Sequence, residues 1–401
     1  MRKHFLCLTL IVAGLVFLCL EAVTRLYFGY REKGVLNTRP VLKLYPTVER
    51  PEEIFSAVTL DSLQWSPYEH WVVRPNLRSR FFRTNALGFR GPEAAAQKPP
   101  GRFRIVVIGS SAAWGLGCTA DERTIPGRLQ TLLRQKYPGC DLEVINAGQF
   151  GFNSTQELIY YHRVIAPLAP DLVLLFDGYN DVLADIMNSS SGWPLNADLL
   201  QSRYQDSFRR QPLVRDLKAF FHQSRFLDLI SRKLSELITS TRHSSVIPVI
   251  SPVTTAAVYV RNVLALSRLV APTTVWIALQ PVPACTRKPL APEEAGILDE
   301  KEKTVPGYKE RVAATYQAME AGLRAAGLPV ISLDLALGTD PRLIFVDECH
   351  FGDEAADRIA MKIAEEWFRS NALLKSPSTK NEKVVIRKDP IPVQSAKSHL
   401  E

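Results

Sequence analysis

Short, continuously apolar runs alternate with helical patterns along the chain from Phe103 to about Phe368. The runs fall at residues 103–109, 142–147, 171–177, 273–279 and 329–333. Their lack of polar alternation is the mark of strands buried on both faces, as in a parallel sheet. Between them, residues 126–137 and 154–165 carry apolar side chains at helical spacing, and Ser154 with Glu157 stands in the relation of a capping box. A last helix is expected over 353–368, with Ala356, Ile359, Ala360, Ile363, Ala364 and Trp367 on one stripe. Such alternation implies a sheet of about five strands covered by helices on both faces, with ligands at the carboxyl ends of the strands.

Outside this block the pattern changes. Residues 5–20 are almost wholly apolar behind Arg2 and Lys3, and the apolar character continues weakly through Ala22, Val23, Leu26, Tyr27 and Phe28. That length suits a membrane-spanning helix. No Ala-x-Ala site follows, and Leu18 before Cys19 is too large for a lipoprotein site, so residues 1–30 are expected to be an uncleaved anchor. Arg2 and Lys3 favour a cytoplasmic N-terminus and an extracytoplasmic main domain, a bias that Arg25, Arg31 and Lys33 weaken. Residues 31–100, rich in Pro, Arg and aromatic side chains without a sustained period, read as a stalk or irregular lead-in. The main domain is expected over 101–370. It carries an insertion at about 182–272, with helices near 214–238 and 254–269, that reads as a lid. Residues 371–401 turn polar and are expected to be a disordered tail.

Composition excludes little else. A hydrophobic fraction of 46% and a charged fraction of 22% are ordinary for a globular chain, which argues against wholesale disorder and against a polytopic membrane protein. The net charge of +8 is shared with the termini, through Lys375, Lys380, Lys383, Arg387, Lys388 and Lys397, and reads as solvated surface near anionic lipid rather than a nucleic-acid site. Of six cysteines, Cys7 and Cys19 fall in the anchor, and Cys118, Cys140, Cys285 and Cys349 lack metal-ligand spacing. Free buried thiols are expected, with disulfides as the alternative, and neither a metal nor a cofactor is called for.

Candidate chemistry gathers at the strand ends. The first strand runs into Gly109-Ser110-Ser111-Ala112-Ala113-Trp114-Gly115, which sets a hydroxyl on a turn. A phosphate-binding loop would look similar, but the Lys-Ser/Thr of a P-loop and a GxGxxG are both missing. The second strand ends in Asn146-Ala147-Gly148-Gln149-Phe150-Gly151 and the third in Asp177-Gly178-Tyr179-Asn180-Asp181. The N–H groups of Ser111 and Gly151 and the Asn180 amide could form an oxyanion hole. Taken singly, Gly148 and Gly151 are as well explained by turns and Asn180 by helix capping. Near the end, Asp347-Glu348-Cys349-His350 places a carboxylate three residues before an imidazole, so that Asp347 can orient His350 as a base for a serine. The other histidines, His4, His70, His162, His222, His243 and His399, lack such a setting.

These four blocks, in this order, resemble the SGNH hydrolase superfamily, also described as GDSL-like. The lead-in Thr84-Asn85-Ala86-Leu87-Gly88-Phe89-Arg90-Gly91 and the segment Leu279-Gln280-Pro281 look like those of its bacterial membrane-anchored members. The resemblance implies a flavodoxin-like three-layer α/β/α sandwich. It makes Ser111 the nucleophile, His350 the base, Asp347 its orienting partner, and Ser111, Gly151 and Asn180 the oxyanion donors. Ser110 stands where the family often has Asp or Gly, and Ala355 where it often has Gly. The expected activity is hydrolysis of a small-molecule, lipid or saccharide ester through an acyl-enzyme. The alternatives are acyl transfer to or from a cell-envelope saccharide, and a binding module that has lost its chemistry.

Overall fold

The computed structural model describes residues 2–37, 40–56, 58–195, 197–198, 200–201, 224, 226–227, 229–230, 250–333 and 335–370. They divide into two units, residues 1–39 with 197–248, and residues 40–196 with 249–401. In the first, α1 (Arg2–Asn37) is a 36-residue helix, about 54 Å long at 1.5 Å per residue. Its Ile11, Val12, Leu15, Val16, Leu18, Val23 and Leu26 are exposed. Glu21 accepts hydrogen bonds from Ser224 Oγ at 2.7 Å and Phe226 N at 3.0 Å, and the Phe17 and Phe226 rings meet edge to face. The middle of the expected insertion therefore belongs with the N-terminal helix. Most of the helix expected near 214–238 lies outside the described residues.

The second unit opens with short helices α2 (Pro40–Leu44) and α3 (Glu53–Ser56) and an antiparallel hairpin of β1 (Leu63–Ser66) and β2 (His70–Val73). Of the expected stalk or irregular lead-in, residues 40–100 group with the parallel-sheet unit. Hydrogen bonds of single side chains hold this segment, and such bonds leave no periodic trace in a sequence. Asn85 Oδ1 accepts from Leu87 N and Phe89 N, shaping the turn that delivers Arg90. Buried Arg90 donates to Gly115 O and Phe81 O, each at 2.8 Å, pairs with Asp121 at 2.9 Å and lies over the Trp114 ring.

Then follow β3 (Phe103–Gly109), α4 (Ser111–Trp114), α5 (Ile125–Lys136), β4 (Leu142–Asn146), α6 (Ser154–Tyr160), β5 (Leu172–Asp177) and α7 (Tyr179–Met187). After the insertion come α8 (Pro252–Val270), β6 (Thr274–Leu279), α9 (Pro292–Thr304), α10 (Tyr308–Ala325), β7 (Val330–Ile331) and α11 (Asp353–Ser370). The five strands are parallel in the order β4-β3-β5-β6-β7. Alternate residues of β3 feed two cores, Val106 and Ile108 on the side of α6, α8 and α10, Ile105 and Val107 on the side of α5 and α11. Each such Val or Ile contributes about 1.5–3 kcal/mol on full burial, which is why the strands show no polar alternation. The result is a three-layer α/β/α sandwich with flavodoxin-like strand order. Helix α8 is long and apolar enough to cross a membrane, yet its Tyr259, Val263 and Leu266 are buried in the core.

The helix after β4 starts at Ser154 as expected, but its capping box lies one residue earlier. Asn153, not Ser154, is the N-cap, and Gln156, not Glu157, closes the capping box. Both pairs satisfy the same pattern, and the tertiary structure chooses between them. Ser154 donates instead to Asp181 Oδ1 at 2.5 Å, and Glu157 points inward.

Candidate active site

The site lies where the chain leaves β3 and the sheet grows in opposite directions toward β4 and β5, the usual crevice of an open parallel sheet. Gly109 ends β3 so close to β5 that a Cβ there would come within 2.0 Å of Phe176 O. The chain turns at once into α4, with Ser110 as N-cap and Ser111 as its first residue. Arg90 from the lead-in and Asn146 Nδ2 from β4 hold the carbonyl end of α4, at Gly115 O and Trp114 O respectively.

From the other end of the chain, residues 344–352 form a closed loop. Phe345 bridges Phe351, and Val346 N donates to His350 O at 2.9 Å. Inside it Asp347 Oδ1 accepts from Cys349 N at 2.9 Å and His350 N at 2.7 Å, while Asp347 Oδ2 lies 2.7 Å from His350 Nδ1. His350 Nε2 lies 2.7 Å from Ser111 Oγ. The adjacent hydroxyls are thereby distinguished: Ser110 Oγ points away and donates to Gln280 Oε1 at 3.3 Å.

The charges suit this arrangement. Burial works against a charged imidazole, but the Asp347 carboxylate and its hydrogen bond outweigh it, and His350 is raised above the usual imidazole range. For Asp347, burial is outweighed by His350 and two backbone N–H donors, which hold the carboxyl well below the usual carboxylate range.

Gly151 lies on the loop after β4 and Asn180 at the start of α7, which follows β5; β4 and β5 are the two strands that flank β3. Gly148 and Gly151 differ in their reasons. A Cβ on Gly148 would meet Trp114 N at 2.3 Å, so that glycine admits α4, whereas Gly151 adopts φ 69° beside Trp71 and Leu195. Asn180 sits in the first turn of α7, where Nδ2 donates to Phe152 O at 2.9 Å. One donor hydrogen of the amide is thus spent on fixing the side chain and a second remains.

No family model matches the chain, and no curated protein matches it. Solved structures do. A member of the lipolytic protein G-D-S-L family from Veillonella parvula is 12% identical, with a TM-score of 0.37, over 67% of this chain and 99% of the other. The lipase/acylhydrolase of Enterococcus faecalis is 16% identical, with a TM-score of 0.38, over 66% and 94%. An aryl esterase of M. smegmatis is 16% identical, with a TM-score of 0.38, over 67% and 99%.

Asp347, Cys349 and His350 hold ligand atoms within 4.8 Å of one another. They suit a metal poorly. Burial, reinforced by the neighbouring Asp347 and Glu348 carboxylates, pushes the Cys349 thiol well up, away from the thiolate a metal needs. Both His350 nitrogens already face Asp347 and Ser111.

Three residues around the site escaped the sequence reading. Gln280 joins Ser110 to the histidine loop, accepting from Ser110 and donating Nε2 to Cys349 O at 2.6 Å. Glu294 on α9 anchors the base of that loop, its Oε1 accepting from Ile344 N at 2.8 Å and Phe345 N at 2.9 Å and its Oε2 from Lys288 Nζ at 2.6 Å. Phe55 sets its ring edge against His350, centroids 6.2 Å apart. The only signal in the sequence was the resemblance noted for the Gln280 segment, which carried no stated role. Beside Gln280 opens a cavity of about 350 Å³ lined by Leu279, Pro281, Tyr316 and Leu333, to which neither Ser111 nor His350 contributes.

Behind α7 lies a buried acidic group. Asp177 accepts from Tyr259 at 2.6 Å and Asp181 from Ser154, while the Glu157 oxygens have no donor. Burial and the Asp177 charge push Glu157 well up, and the same two causes push Asp181 up to about 7.

Proposed function

We propose that this chain is a serine esterase of the SGNH type that forms an acyl-enzyme on Ser111. The observation that carries the reading is the hydrogen-bonded series from Ser111 Oγ through His350 to Asp347 Oδ2, 2.7 Å at each step. His350 Nε2 takes the hydroxyl proton as Ser111 Oγ attacks the ester carbonyl, and Asp347 stabilises the imidazolium that forms. The N–H groups of Ser111 and Gly151 and the Asn180 amide stabilise the oxyanion. Collapse of the tetrahedral intermediate breaks the ester C–O bond, and His350 returns the proton to the leaving alcohol. Water then attacks the acyl-enzyme with His350 again as base, releasing the acid and free Ser111.

Only 9% of the Ser111 surface is exposed, which favours a small acyl group such as acetyl. The test is acid release from p-nitrophenyl acetate with no acceptor present. Turnover by the natural chain and its loss in Ser111→Ala are expected. Turnover that requires an added saccharide would point to acyl transfer instead.

We also infer that α1 anchors the enzyme in a membrane, with the catalytic unit on the extracytoplasmic side. The exposed apolar side chains from Ile11 to Leu26 support it. Full-length protein should stay in the membrane pellet after carbonate extraction, and recovery in the supernatant would refute the anchor.

A further inference from the structure

The lead-in segment has no part in the chemistry described so far, yet it touches the loop that follows Ser111 and the loop that follows His350. Tyr45, directly after α2, is buried, and its hydroxyl uses both of its hydrogen-bonding capacities. It donates to Gly117 O at 2.8 Å and accepts from Asp353 N at 2.7 Å. Gly117 belongs to the loop that follows Ser111 and α4, and Asp353 opens α11 just after His350. An N–H in the first turn of a helix has no partner within the helix, so Tyr45 supplies one from elsewhere in the chain. Burial, with Cys118 and the Asp353 carboxylate nearby, raises Tyr45 above the usual phenol range, so the hydroxyl keeps the proton it donates.

The surroundings make this a junction. Thr119 N and Oγ1 donate to the two Asp353 oxygens at 2.9 and 2.5 Å, a second tie between the same two loops. Tyr45 packs with Ile54, Phe81 and Val346, and Val346 immediately precedes Asp347. Phe55, beside Ile54 on α3, is the residue whose ring edge meets His350. One short stretch of lead-in therefore contacts the loop after the nucleophile, the loop after the base, and the base itself.

We propose that Tyr45 is a positioning residue of the catalytic centre, whose hydroxyl pins the loop after Ser111 and the loop after His350 to one point and so sets the Ser111–His350 separation. This rests on the reading of Ser111 as nucleophile and His350 as base. Without the hydroxyl, Gly117 O and Asp353 N are left unpaired in a buried place, and the loops must shift to satisfy them. A displacement of about 1 Å at a reacting pair costs on the order of a hundred-fold in rate.

The experiment compares Tyr45→Phe with Ile54→Val, which loosens the same apolar cluster but leaves the hydroxyl in place. Three quantities are read: the rate of fluorophosphonate labelling from pH 5 to 9, the melting temperature, and the downfield proton resonance of His350 Nδ1–H. Tyr45→Phe should label roughly ten- to a hundred-fold more slowly, with a lower limiting rate, little change in probe binding, and a displaced resonance. Ile54→Val should label at the natural rate whatever its melting temperature. Equal labelling by Tyr45→Phe and the natural chain overturns the proposal, as does equal slowing in both variants. Should the natural chain not label at all, the esterase reading fails, and the resonance decides alone: unmoved in Tyr45→Phe, it removes the positioning role too.

Discussion

Ser111 and His350 stand 239 positions apart in the chain, and their side chains approach to 2.7 Å. The parallel sheet makes this possible by delivering its strand ends to one edge. The loop from β7 to α11 then returns over β3, and α11 packs against the same face of the sheet as α5.

In the proposed mechanism the histidine must be neutral to accept the serine proton, and the Asp347 carboxylate holds its pKa above the usual imidazole range. A raised pKa keeps His350 protonated to higher pH, so the acid limb of kcat/KM should lie above the pH of an ordinary imidazole. In Asp347→Asn the limb should move down, and the rate should fall by roughly 10⁴-fold. A pH–rate profile of both proteins checks this, and an unmoved limb would show that Asp347 does not set the charge of His350.

Glu157 yields a stability prediction. Its carboxyl is raised in the folded protein, so above the ordinary carboxylate range the folded state holds a proton that the unfolded chain releases. Stability must then fall as pH rises from the unfolded value toward the folded one. Asp181, raised to about 7, adds to the same decline from about 4 up to 7. Glu157→Gln supplies a permanently neutral side chain of the same shape, so it should melt higher than the natural chain at pH 8 and equally at pH 4. Thermal melts at the two pH values decide it; a variant less stable at pH 8 would mean that Glu157 is ionised and paired.

The Lys288–Glu294 pair is fully buried and holds the base of the histidine loop. Removing one member of such a pair costs about 3–5 kcal/mol. Glu294→Ala should lose about that much in a urea melt and label more slowly, because Ile344 N and Phe345 N lose their acceptor. Lys288→Met with Glu294→Gln together should cost less than Glu294→Ala alone. A double variant that loses as much as Glu294→Ala or more would show that the pairing does not set the cost.

Much of this was legible in the sequence for physical reasons particular to each element. Residues 103–109 and 171–177 read as inner strands because both of their faces are buried, and the Ala356-to-Trp367 stripe read as a helix because one face is. The acid and imidazole of residues 347 and 350 stood out because their spacing closes a tight turn. Strand order was not legible in the hydrophobic pattern, since the sheet is assembled by contacts distant in sequence; it came only from the resemblance to a flavodoxin-like sandwich. How the lead-in is held was not legible, because Tyr45, Asn85 and Arg90 act one by one through hydrogen bonds. The capping box was misplaced by one residue because only the buried Asp181 distinguishes Ser154 from Asn153.

Which hydroxyl becomes acylated is the central question, and fragmentation of the fluorophosphonate-labelled peptide in the mass spectrometer, which separates the adjacent Ser110 and Ser111, reads it directly. Label on Ser111 is expected in the natural chain and in Ser110→Ala, with none in Ser111→Ala or His350→Ala. Label on Ser110, or undiminished labelling of Ser111→Ala, would contradict it.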